Sequence, residues 1–69
     1  MAKDEDRGVM IANAIGCAVL ALKFSGGRIS EYMLSEKLEE MRRNETNVIG
    51  KGVYRDAAEL VRKGRSPVA

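Results

Sequence analysis

Apolar residues crowd the first third of the chain and then thin into periodic stripes. Across positions 9–22, Asn13 is the one polar interruption in a run of apolar and small side chains. Ile11, Ile15, Ala18 and Leu22 keep the i, i+4, i+7, i+11 spacing of one helix face. Val19 widens that stripe, and Met10, Ala14, Cys17, Ala21 and Phe24 make a second one. The pattern predicts a helix over about 4–24. Asp4, Glu5 and Asp6 suit the positive end of its dipole. A helix that is apolar on nearly every side calls for cover on nearly every side.

The next stretch, SGGRIS, reads as a corner. Ser25, Gly26 and Gly27 stop the first helix, and Ser30 sits where an N-cap hydroxyl accepts from a free amide. Ile29 and Leu34 then occupy the two positions of a hydrophobic staple. The second helix is expected over about 31–43, with Leu34, Leu38 and Met41 turned inward. Glu31, Glu36, Glu39 and Glu40 face out with Lys37, Arg42 and Arg43, and Glu39 is placed to attract Arg42 or Arg43.

NETNVIGKG follows. Its two glycines cost a helix about 2 kcal/mol relative to alanine. Thr46 or Asn47 offers a cap for an early turn, but the segment is expected to stay irregular or weakly helical to about Lys51, with Val48 and Ile49 plugging the core edge. A third helix is expected over about 52–63, burying Val53, Ala57, Leu60 and Val61, with Gly64 as its C-terminal stop. Residues 64–69 read as a frayed tail. Strand and hairpin signals are poor. The fold class read from the pattern is therefore all-α: one domain over 1–69, three helices.

Size sharpens this picture. A chain of 69 residues buries only about 60% of its unfolded surface, so its core is marginal. With one cysteine and no histidine, neither an intrachain disulfide nor the usual zinc sites are within reach. Self-association is the remaining support. The expectation is an intertwined homodimer joined through Ile11, Ala14, Ile15, Ala18, Val19 and Leu22. The apolar run of 9–22 is short against the roughly 20 residues of a membrane span, and its acidic leader does not suit a signal peptide. The sequence thus reads as soluble and cytoplasmic, with no membrane partner.

Little chemistry is on offer. Without histidine the usual acid–base group is absent. Ser25, Ser30 and Ser35 have no base beside them, and Cys17 is expected to lie deep in the apolar helix as an inert thiol. SGGRIS lacks the lysine and the preceding strand of a phosphate loop. No catalytic, cofactor-binding or metal-binding residue is assigned, and no cofactor is expected. Arg28, Lys51, Arg55, Arg62, Lys63 and Arg65 could make a basic strip for DNA or a protein partner. The net charge of +2 is modest, and neither amphipathic helix carries the Arg, Asn and Gln cluster that reads bases.

The order GCAVLALK, SGGRIS, MLSEKLEEM, polar turn and last amphipathic helix resembles the small enterobacterial regulators of the AriR/YmgB and YcgZ group. These are biofilm and acid-resistance regulators, also called two-component connector proteins. The similarity spans roughly 11–62 and is strongest over 16–41. It rests on Gly16, the apolar run to Leu22, the Ser25-Gly26 corner, Ser30 and the Leu34/Leu38/Met41 stripe. The chain departs from that pattern in its shorter N-terminus and in Gly50 and Gly52. The resemblance implies an all-α dimer with a regulatory role, exerted on a response regulator of an envelope-stress phosphorelay or on DNA. It carries over no catalytic residue. A weaker similarity, in length and apolar first helix, is to the small fumarase D proteins, and it implies a minimal fumarase-like enzyme as the remaining alternative.

Overall fold

The computed structural model describes residues 3–64, with side chains from Asp6 onward. Arg65 and the rest of the expected tail lie outside the described residues. Three helices make up the fold: α1 (Lys3–Phe24), α2 (Glu31–Asn44) and α3 (Val48–Lys63). Among the described residues there is no strand, and the all-α expectation holds.

The corner between α1 and α2 is built as its residues suggest. Gly26 takes φ 76°, a left-handed conformation that costs glycine little. Gly27 N–H donates back to the Leu22 carbonyl at 2.9 Å, closing the end of α1. Ser30 is the N-cap of α2, and its hydroxyl accepts from the Met33 amide at 3.1 Å. Ile29, the expected staple residue, stays 47% exposed. Ser30→Ala should therefore lower stability by about 1 kcal/mol. An unchanged midpoint in urea would mean that the cap carries nothing.

The third helix starts four residues earlier than the glycines suggest. Asn47 is its N-cap, with Oδ1 accepting from Ile49 N–H at 2.8 Å and Gly50 N–H at 3.2 Å. Two amides that a helix start leaves orphaned are thus satisfied, which offsets part of the glycine cost. Val48 and Ile49 do not plug the core. They are 81% and 61% exposed, because they ride the first turn of α3, beyond the stripe that begins at Val53. Gly64 ends α3 at φ 73°, its N–H donating to the Leu60 carbonyl at 2.7 Å.

The core lies where all three helices meet. Leu38 of α2 is fully buried at its centre. Around it stand Ile11, Ala14 and Ala18 of α1 and Val53, Ala57 and Ala58 of α3, with Leu34, Met41, Leu60 and Val61 at the margin. Four of the seven buried members of this cluster are alanines, and they let helix axes approach closely. The most extensive contact is between α2 and α3; α1 contributes one face and leaves the opposite one bare.

The face that α1 turns to the core bears on the expected dimer. Ile11, Ala14, Ala18 and Leu22, which the sequence offers as a seam between copies, are buried within the chain's own fold, with Ile15 and Val19 half-buried beside them. In this fold they are already occupied. Cys17 also differs from expectation: it is exposed on the outer side of α1, because the core stripe runs through Ala14 and Ala18.

Candidate functional site

Three surfaces are worth building up from their residues. The first is the basic strip. Arg55 Nε lies 3.3 Å from Asp56 Oδ1, Arg62 Nη1 lies 3.3 Å from Glu39 Oε2, and Lys63 Nζ lies 2.8 Å from Glu59 Oε2. Arg55, Arg62 and Lys63 thus already face a carboxylate, and a phosphate would have to compete with it; Lys51 Nζ instead donates to the Arg42 carbonyl at 3.3 Å. Arg28 stands apart, exposed in the corner between α1 and α2.

The carboxylates tell the same story. Burial alone would raise the Glu39 carboxyl. The hydrogen bonds and charges of Arg42, at 2.9 Å, and of Arg62 outweigh this and hold it below its usual range. Lys37 and Lys63 do the same to the exposed Glu40 and Glu59. These are groups held ionised by cations, unlike a general acid, whose pKa is pushed toward neutrality. Among the described residues no group of three or more metal-binding side chains gathers.

The second surface is the corner. Phe24 is 85% exposed, Tyr32 69%, Ile29 47% and Met33 37%, all within ten residues of chain that turn through one end of the molecule. Beside Met33 lies a shallow depression of about 300 Å³ whose rim carries Glu36, Lys37, Glu40 and Arg43. Large apolar tips ringed by charge are the usual composition of a protein-binding patch.

The third surface is the outer face of α1. Val9, Met10 and Leu20 are 59%, 43% and 55% exposed, and Cys17 lies between them. An apolar groove of about 250 Å³ runs beside this face, lined by Met10, Asn13, Cys17, Val53 and Tyr54. The helix over Asp6–Phe24 is long and apolar enough, by length and composition, to cross a membrane, with 22% of it buried inside the fold. Counting only 9–22 understates this length, because the charges of Asp6, Arg7 and Lys23 sit at the ends of a 19-residue apolar helix.

No family model, curated protein or solved structure matches the chain.

One polar feature escaped the sequence reading. Asp56 is buried on the core side of α3, and Arg7 of α1 reaches it with Nε at 3.1 Å and Nη2 at 2.7 Å from Oδ2. A Cβ at Gly52 would lie 3.0 Å from Arg7 Nη2, so the missing side chain there gives the guanidinium its path. The signal was faint: an acid set between Val53 and Ala57 on a buried stripe needs a cation.

Proposed function

We propose that this chain is a small regulatory module that binds another protein, acts as a homodimer in the cytoplasm, and uses neither catalysis nor cofactor. The observation that carries the reading is the exposed corner of Ile29, Tyr32 and Met33 beside Phe24. Aromatic and methionine side chains left in water at one end of a small domain are typical anchors of protein interfaces. The sequence resemblance adds the partner class: a response regulator of an envelope-stress phosphorelay, in biofilm and stress signalling. A soluble setting is supported by the packing of α1, whose Ile11, Ala14, Ala18 and Leu22 face its own α2 and α3. Against a DNA-binding role stand the carboxylates already paired with Arg55, Arg62 and Lys63. The charges on Glu39, Glu40 and Glu59 likewise favour ion pairing over fumarase-like acid–base work.

The immobilised chain should retain a receiver-domain protein from bacterial lysate through a wash at about 300 mM salt. Tyr32→Ala should reduce that retention at least tenfold while leaving the circular dichroism unchanged, since Tyr32 is 69% exposed. Equal retention by both proteins would remove the corner as the binding site. A duplex-DNA gel shift that persists at 200 mM salt would put nucleic acid first, because binding through phosphate contacts alone weakens steeply over that range.

A further inference from the structure

The outer face of α1 carries a second pattern, distinct from its core stripe. Asp6, Met10, Asn13, Cys17, Leu20 and Phe24 follow one another at steps of four, three, four, three and four. That is the a/d alternation of a coiled-coil seam, and all six are exposed. The residues between them include no charge from Gly8 to Leu22. A Cβ at Gly16 would meet nothing within 4 Å, so space for a second helix is open at mid-face.

We propose that this face pairs with the same face of a second copy, and that the two α1 helices run antiparallel about a two-fold axis near Ile15. The numbering makes the pattern self-complementary. Met10 and Leu20 stand equally far from Ile15, as do Asn13 and Cys17, and Asp6 and Phe24. Antiparallel pairing therefore sets Met10 against Leu20 of the second copy, and Asn13 against its Cys17. Charge decides the direction. The face begins with the acidic Asp6 and ends beside Lys23. Antiparallel helices bring Asp6 alongside the opposite Lys23, whereas parallel helices would set the two Asp6 carboxylates against each other. Asn13 favours a protein occupant over lipid, because a buried amide without a partner is costly in hydrocarbon. The inference rests on the self-association in the proposed function and names its face and direction. It leaves the Tyr32 corner free, so the capture assay can fail or succeed on its own.

Disulfide trapping reads the direction. Asn13→Cys places a second thiol opposite the native Cys17 of the other copy. Mild oxidation at about 50 µM should convert most of this variant to a covalent dimer on a non-reducing gel. The unmodified chain should stay largely monomeric on the same gel. Its two Cys17 residues would be offset by four positions, about 6 Å along the axis, on helices about 8–10 Å apart. Each Cα stands about 2.3 Å off its axis, so level, facing Cα atoms come within about 4–5 Å, inside disulfide range, while the offset puts the two Cys17 Cα atoms about 7–8 Å apart, at or beyond the roughly 7 Å that a disulfide spans. Sedimentation equilibrium of the unmodified, reduced chain should give twice its 7.6 kDa. Leu20→Glu should give a folded monomer, since Leu20 lies outside the core. Efficient cross-linking through Cys17 alone would overturn the antiparallel arrangement. A sedimenting monomer would overturn the pairing itself, as would co-sedimentation with phosphatidylcholine vesicles that Leu20→Glu abolishes while the unmodified chain remains monomeric in solution.

Discussion

Leu38→Ala should cost about 3 kcal/mol, a third or more of the stability that a domain of this size holds. Leu38 is the largest side chain that is fully buried, and it contacts the core from all three helices' meeting point. Truncating such a leucine removes its transfer energy and leaves a cavity, together about 2–5 kcal/mol. The surrounding Ala14, Ala18, Ala57 and Ala58 are too short to refill the space. A chain of this size has on the order of 3–10 kcal/mol to lose. Urea denaturation followed by circular dichroism would measure the change. A shift under 1 kcal/mol would mean that the helices do not pack around Leu38.

Asp56→Ala should cost about 2 kcal/mol. Breaking a fully buried ion pair by deleting one partner costs about 3–5 kcal/mol, because the other charge is left stranded. Here the Asp56 side chain is 5% exposed and Arg7 24% exposed, so the stranded guanidinium can still reach water and the expected cost falls below that range. Arg7→Ala leaves Asp56 with Arg55 at 3.3 Å and should be milder. The double variant should cost less than the sum of the two, with a coupling of about 1 kcal/mol. Additive effects would mean that the two residues act independently despite their 2.7 Å contact.

Much of this fold is legible in the sequence, for local reasons. The corner is set by Gly26, Gly27 and Ser30, whose chemistry acts within a few residues. The inward stripe of α2 stands out because most of its remaining positions are charged. What does not show is non-local. On α1 both stripes are apolar, so periodicity cannot say which one α2 and α3 will cover, and the apolar neighbours of Cys17 point inward for a thiol that is in fact exposed. The start of α3 turns on Asn47 outbidding two glycines, a contest between terms of similar size. Arg7 and Asp56 are 49 positions apart, and no spacing rule connects them. The surfaces follow the same division. The exposure of Tyr32 follows from the α2 stripe, while the ion pair of Arg62 with Glu39 exists only once α3 lies against α2.

The short connection between α2 and α3 bears on the order of assembly. Only residues 45–47 separate the two helices, and they share the most extensive contact in the fold. Bringing their ends together sacrifices little chain freedom, because the entropy lost on closing a loop grows with its length. The α2–α3 hairpin is thus the natural nucleus, around which Leu38 first finds Val53 and Ala57. Of the three helices α1 is then made first and docks last, and until Arg7 reaches Asp56 the chain carries an apolar rod with both of its faces uncovered.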